Sequence, residues 1–234
     1  MPARVYLIPT VLSEGVTTCL PTYILDTVIN CSVFFVENER TARRYLKLLS
    51  KEIVIDNYEW YNMAEVNEEV AFSFKQKIKE ERNIGILSEA GCPGIADPGQ
   101  QLVAIAQQMH VIVKPLVGPN SVLLALMASG MNGQQFQFVG YLPIDAAERT
   151  KAIKNLESES RQNKRTQIFI ETPYRNNQLL ETLTKTLHPQ TKICLAVDLT
   201  SPEEMIQTKT ALQWKTAMPQ IHKRPAIFLI YSGD

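Results

Sequence analysis

The chain has 234 residues, 45% of them apolar, and its 24 basic and 24 acidic side chains leave a net charge of zero. This length suits one large domain or two small ones and supplies enough apolar residues for a core. The charge balance excludes a protein that holds nucleic acid by overall positive charge, so any phosphate contact has to come from a local patch.

In chain order, "VYLI" (5–8) reads as a strand, "TYILDTVIN" as a short helix and "SVFFVE" (32–37) as a buried strand, because its Val and Phe residues run unbroken. "NERTARRYLKLLS" sets Ala42, Tyr45, Leu46 and Leu49 on one helical face, with Asn38 as its N-cap. "EIVID" reads as a weak strand. "MAEVNEEVAFSFKQKIKEE" reads as a long helix with Val66, Val70, Phe74 and Ile78 on one side. A strand "NIGILS", a helix "QQLVAIAQQM", a strand "VIVKPLV" and a helix "NSVLLALMASG" follow. Strand and helix alternate up to about residue 115, which predicts a mostly parallel sheet flanked by helices.

The second half differs. "QFQFVGYL", "TQIFIE", "KICLAVDL", "EEMIQTKT" and "AIFLIYS" read as strands; a charged helix from Ala146, "NNQLLETLTKTL" and the short "ALQWKTAM" read as helices. Strands that follow one another without long crossovers predict antiparallel pairing. The expected fold is therefore α/β with two domains, residues 1–115 around a mostly parallel sheet and residues 116–234 around a mixed one.

Four scattered cysteines, Cys19, Cys31, Cys92 and Cys194, form no C-x-x-C pair and predict reduced thiols, a cytoplasmic setting and no metal site. The apolar start is too short for a signal peptide, and no window approaches the roughly 18 apolar residues of a membrane span.

The informative segments are loops. In an open α/β sheet, ligands bind beyond the carboxyl ends of the strands. Loops of unusual composition fall there: "PTVLSEG", "ENER", "SEAGCPGIADPG" (88–99), "VGPNS" (117–121) and, in the second half, "ETPYR" (171–175). Gly91 and Gly94 let a ligand reach the backbone, while Pro93 and Pro98 stiffen the path. None of these loops is a G-x-x-x-x-G-K-[ST] or G-x-G-x-x-G motif, so neither a nucleoside triphosphate nor NAD is indicated.

"SEAGCPGIADPG", "VKPLVGPNSVLLALMASG", "FVGYLP", "IFIETPYR" and "RPAIFLIYSG" occur in this order. Together they resemble the tetrapyrrole methylase family, the class III S-adenosylmethionine-dependent methyltransferases. Within it they resemble the branch that methylates ribose hydroxyls of small-subunit ribosomal RNA. That branch reads S-D-A-G-T-P-x-I-S-D-P-G, P-x-P-G-P, G-F-L-P and E-[SA]-x-H-R at these places. The resemblance implies two α/β domains with S-adenosylmethionine in a cleft between them, and a homodimer. Carried residue by residue, it implies cofactor contacts from Pro9, Ser88, Glu89, Ala90, Gly91 and Cys92, and from Asn120 and Ser121. On the later motifs it adds Tyr141, Leu142, Thr172, Pro225 and Ala226. Glu89 stands for the motif's Asp and Cys92 for its Thr. The chain departs from the branch after the first two strands: "IPTVLSEGVTTCL" replaces V-P-T-P-I-G-N-L and "VENER" replaces A-E-D-T-R. Tyr174 replaces the histidine of E-[SA]-x-H-R.

Because S-adenosylmethionine carries an already activated methyl group, positioning is the main task, with a base for the acceptor. Glu37 and Glu171, both at strand ends, are the candidate catalytic carboxylates. The residues alone equally allow a helix cap, or ion pairs to Arg40 or Arg175. Arg40, Arg43 and Arg44, with Lys47, are candidates for RNA phosphate contacts, or an exposed helix face. "YEWY" (58–61) could stack on a base or be half-buried surface aromatics. The leading expectation is a methyltransferase acting on small-subunit ribosomal RNA. The alternatives are a tetrapyrrole or other small-molecule acceptor, and a cofactor-binding module without catalysis.

Overall fold

The computed structural model describes residues 2–233. The chain divides into two compact units, Met1–Asn120 and Ser121–Asp234.

The first unit holds strands β1 (Arg4–Leu7), β2 (Val33–Val36), β3 (Glu59–Asn62), β4 (Ile84–Leu87) and β5 (Ile112–Pro115). They form one sheet in the order β3-β2-β4-β1-β5. Every pairing is parallel. Helices α1 (Tyr23–Ile29) and α2 (Glu39–Leu49) cover one face, where Ile24, Val28, Ala42, Tyr45 and Leu46 meet Tyr6, Ile8 and Phe34. Helices α3 (Glu68–Lys79) and α4 (Gly99–Gln108) cover the other, where Phe74, Ile78, Leu102 and Ala106 meet Val5, Phe35 and Ile86. β2 is buried at all four positions because both its faces are covered, as its unbroken apolar run predicts.

Two local expectations are corrected. "EIVID" ends in a 3-10 turn, Ile55–Asn57, and the strand lies further on at Glu59–Asn62. The aromatic segment is thus an edge strand. Trp60 stacks on Phe34 at 5.1 Å and Tyr61 on Phe35 at 4.8 Å, on opposite faces of the sheet, so these rings are engaged in packing. Helix α3 starts at Glu68 rather than near Met63, because the Asn67 side chain caps it by accepting from the Val70 N–H at 3.0 Å. The Met63 N–H continues the strand by donating to the Val36 carbonyl.

The second unit opens with α5 (Ser121–Ser129) and continues with β6 (Phe136–Tyr141), α6 (Ala146–Asn163), β7 (Thr166–Ile170), α7 (Asn176–Thr186), β8 (Lys192–Val197), β9 (Met205–Thr210), α8 (Ala211–Thr216) and β10 (Ala226–Tyr231). Its sheet runs β6-β7-β10-β8-β9. β6 and β7 are parallel, joined by the α6 crossover; the other pairings are antiparallel. The sheet is therefore mixed, as predicted. Trp214 is fully buried, and its indole N–H donates to the Ile193 carbonyl at 2.9 Å, which removes the cost of burying that polar group. No helix among the described residues is long and apolar enough to cross a membrane.

Candidate functional site

Because the first sheet is wholly parallel, the loops after β1, β2, β4 and β5 leave from one edge. β1 connects past β4 to β2, while β4 connects past β1 to β5, so the two central strands send their chains in opposite directions. That reversal is where open α/β sheets bind ligands.

The loop after β4 is held there almost residue by residue. Ser88 is buried, and its carbonyl accepts from the Thr10 hydroxyl at 3.3 Å. The Glu89 N–H donates to Glu37 Oε1 at 2.9 Å, and Glu89 Oε1 accepts from the Thr41 hydroxyl at 2.5 Å. The Gly91 carbonyl accepts from the Thr10 N–H at 2.8 Å. The Cys92 thiol donates to the Gly118 and Pro119 carbonyls at 3.5 and 3.4 Å. The β1, β2 and β5 loops thus each grip this segment.

Sequence chemistry explains the path. Gly91 has φ of +78°, a left-handed conformation that side chains resist. A Cβ there would sit 3.1 Å from Leu12 and 3.2 Å from the Pro119 carbonyl. Asp97 closes the loop by accepting from the Gly94 and Gly99 N–H groups, each at 2.7 Å. Gly118 lies against the Pro9 ring so closely that a Cβ would fall 2.1 Å from Pro9 Cβ. The Pro9 carbonyl in turn accepts from the buried Tyr45 hydroxyl at 2.7 Å.

Beside this loop lies a cavity of about 540 Å³, within the usual range for small-molecule sites. Thr10, Leu12 and Tyr45 wall it, with Ala90 and Glu89 on one side and Arg44 and Lys47 at the rim. Burial pushes the Glu37 carboxyl above the ordinary carboxylate range. The Glu89 N–H opposes that shift, and the nearby Asp97 and Glu89 charges add to it. Burial raises Asp97 as well, and it keeps the Cys92 thiol protonated and able to donate. A half-buried carboxyl with a raised affinity for protons, bonded to the backbone of the cavity-lining Glu89, can accept a proton or orient a hydroxyl. No group of three or more His, Cys, Asp or Glu among the described residues could hold a metal ion.

The basic residues of α2 separate. Arg44 reaches the cavity and pairs with Glu14 at 2.9 Å. Arg43 pairs with Glu39 and lies over the Trp60 ring at 5.4 Å. Arg40 is exposed in the first turn.

In the second unit, register brings the remaining residues to one sheet edge. Tyr141 pairs with Ile170, just before Glu171 and Thr172, and Ile170 pairs with Ile227, just after Pro225 and Ala226. Tyr141 is exposed, whereas the Leu142 side chain is buried in the core. Glu171 is buried, and its Oε1 accepts from Arg175 Nη2 at 2.6 Å and from the Thr172 N–H at 2.6 Å. Of the two arrangements the sequence leaves open for Glu171, the structure contains the ion pair with Arg175. Asn120 closes the first unit and Ser121 starts α5. Sequence reasoning missed Thr10, Thr41, Tyr45 and Asp97 as braces. Only Asp97, inside the Gly/Pro-rich stretch, carried a visible signal.

Residues 23–213 match the family model of the tetrapyrrole (corrin/porphyrin) methylases. The ribosomal RNA small subunit methyltransferase I of Vibrio cholerae serotype O1 is 31% identical over 205 residues, 86% of this chain and 67% of that protein. Its namesake in Escherichia coli O157:H7 is 36% identical over 130 residues, 56% of this chain and 44% of that protein. The matched part therefore spans between 44% and 67% of these relatives' lengths. In fold, the chain resembles the methyltransferase CobJ, with a TM-score of 0.64 at 16% identity over 98% of this chain and 93% of the other. It also resembles uroporphyrin-III C-methyltransferase from Thermus thermophilus, crystallised with S-adenosyl homocysteine, with a TM-score of 0.58 at 17% identity over 97% of each chain.

Proposed function

This chain belongs to the tetrapyrrole methylase family, and on that premise we propose that it transfers a methyl group from S-adenosylmethionine to small-subunit ribosomal RNA, at a ribose hydroxyl. The observation that carries the reading is the loop at residues 88–92, gripped from three sides beside an apolar cavity, in a chain whose relatives are named ribosomal RNA methyltransferases.

The residues present fit the cofactor. The cavity is of suitable volume and mostly apolar, and two of its lining residues, Glu14 and Glu89, are carboxylates suited to a cationic ligand's ammonium and hydroxyl donors. When bound, S-adenosylmethionine supplies a methyl group activated by its sulfonium. Pro9, Ser88, Glu89, Ala90, Gly91, Cys92 and Asn120 are proposed to hold it from the first unit. Ser121, Tyr141, Leu142, Thr172, Pro225 and Ala226 are the contacts assigned to the second. For Leu142 only the backbone is available, since its side chain is in the core.

Glu37 is the proposed general base or orienting group. Its carboxyl is held above the ordinary carboxylate range by burial and stands next to Glu89, and it can take the proton that a ribose hydroxyl loses on methylation. Glu171, neutralised by Arg175, is proposed to set the backbone of the 171–175 loop. Arg40, Arg43 and Arg44 are proposed to meet RNA phosphates, with Arg44 placed best at the cavity rim. A homodimer working in the cytoplasm completes the proposal.

The test is methyl transfer from radiolabelled S-adenosylmethionine to small ribosomal subunits purified from a strain deleted for this gene. Digestion of the RNA should return the label as a ribose-methylated nucleoside. Label in no RNA fraction, with cofactor binding intact, refutes the RNA reading and favours a small-molecule acceptor.

A further inference from the structure

The second sheet has another edge, opposite the one that carries Tyr141, Thr172 and Ala226. There lies a polar hollow of about 290 Å³ lined by Arg161, His188, Thr191, Lys192, Tyr231 and Ser232, among others. Topology assembles it: Arg161 is in the last turn of α6, Lys192 opens β8, and Tyr231, ending β10, is its direct cross-strand partner.

The hollow is rich in donors. Arg161 Nη2 donates to Ser232 Oγ at 3.4 Å, and the Thr191 and Ser232 hydroxyls are 3.3 Å apart. His188 Nδ1 accepts from the Gln190 N–H at 3.3 Å, which leaves Nε2 as the ring nitrogen bearing hydrogen. Among the described residues that line the hollow there is no carboxylate. Glu157, just behind, spends Oε1 on the His188 N–H at 2.8 Å and on the Thr191 hydroxyl.

The charges here are also unspent. On α2, Arg43 and Arg44 are paired with Glu39 and Glu14. Among the described residues, neither Arg161 nor Lys192 takes part in any ion pair, nor does Lys164, the residue that ends α6. In a protein with no net charge, Arg161, Lys164 and Lys192 outnumber the nearby Glu157, so among the described residues this edge is a local source of positive charge.

We infer that the hollow binds a phosphate of the RNA backbone and serves as a second anchor for the RNA. A guanidinium, an ammonium, an imidazole N–H and hydroxyls gathered around one hollow match a group that only accepts hydrogen bonds. Five residue steps along β10 separate Tyr231 from Ala226, so the anchor lies about 17 Å from the edge that carries Ala226. The inference rests on the reading that the acceptor is RNA.

The test measures binding of small-subunit ribosomal RNA as a function of salt. It compares the wild-type protein with the double variant R161E/K192E and a charge-matched control, K75E/K79E, on the exposed side of α3. Both pairs lie on the surface, so thermal melts should agree with wild type. Loss of one or two phosphate contacts makes the log-affinity against log-salt slope shallower by about 0.7 to 1.4 for single-stranded RNA. R161E/K192E should show that change, with S-adenosylmethionine affinity unaltered, and the control should keep the wild-type slope. An unchanged slope in R161E/K192E overturns the anchor alone. An equal change in the control also overturns it, since net charge would then explain the effect. A wild-type protein that binds no ribosomal RNA overturns both the anchor and the RNA reading.

Discussion

A single methyl group added at Gly118 tests whether the β1 and β5 loops are locked together at the site. In Gly118→Ala, the new Cβ would fall 2.1 Å from Pro9 Cβ and 2.4 Å from Pro9 Cγ. Carbon atoms in contact sit at about 3.5–4.0 Å, so one loop has to retreat by about 1.5 Å. The pyrrolidine ring has no rotamer in which to escape, and the Pro9 carbonyl is tied to the Tyr45 hydroxyl. Overpacking of this kind costs about 1–3 kcal/mol, which for a chain of this size lowers the melting temperature by roughly 2–12 °C. The Gly118 carbonyl also receives the Cys92 thiol, so the retreat disturbs the 88–92 loop. A displacement of this size should weaken S-adenosylmethionine binding by about ten- to a hundredfold. Calorimetric titration reads the affinity and a thermal melt reads the stability. Pro9→Gly removes the ring, so the double variant should recover part of both losses relative to the sum of the single changes. A Gly118→Ala protein with wild-type melting and affinity, or a strictly additive double variant, would refute the reasoning.

Glu37→Gln keeps an acceptor for the Glu89 N–H but removes the titrating group. Because burial raises the folded carboxyl, the wild type loses stability as pH rises from the ordinary carboxylate range through the raised value. In urea melts, the variant should therefore gain on wild type as pH rises through and above the ordinary carboxylate range, while methyl transfer falls; a difference that stays constant with pH would contradict the burial effect. Cys92→Ala should weaken cofactor binding several-fold, whereas Cys92→Thr, which restores a donor to the Gly118 and Pro119 carbonyls, should not; equal behaviour of the two would show that the thiol bond is irrelevant. Asn38→Ala removes the cap that accepts from the Arg40 and Thr41 N–H groups, and should cost about 1 kcal/mol, read as a midpoint shift in denaturant.

The two layers of the site differ in how far the sequence discloses them. The loops are visible because glycine and proline mark positions where backbone conformation decides, and Gly91 at positive φ is such a position. Their braces are invisible, since Thr10 and Gly91 are 81 positions apart and Tyr45 and Pro9 are 36 apart, and nothing local in the sequence encodes those meetings. Strand β2 is legible because Phe34 and Phe35 must each find an apolar face. Strand β3 is not, because its polar ends, Glu59 and Asn62, hide it, and it exists through pairing with β2. The position of Arg43 over the Trp60 ring is likewise a contact that no helical period could foretell.

The strand order of the first sheet also constrains how the chain is made. β1 lies at residues 4–7, yet its neighbours are β4 at 84–87 and β5 at 112–115, and β4 separates it from β2. On the ribosome, the first strand therefore has no partner until about 80 further residues have emerged, and its second side stays open until the unit is almost complete. Such long-range parallel closure is slow and leaves apolar strand edges exposed meanwhile. The grip on the 88–92 loop depends on β1, β4 and β5 together, so it is among the last features of the nascent unit to form. A ligand that bridged those loops would act on the final step of folding, and its presence during refolding should raise the yield of the native protein more than it raises the rate of early collapse.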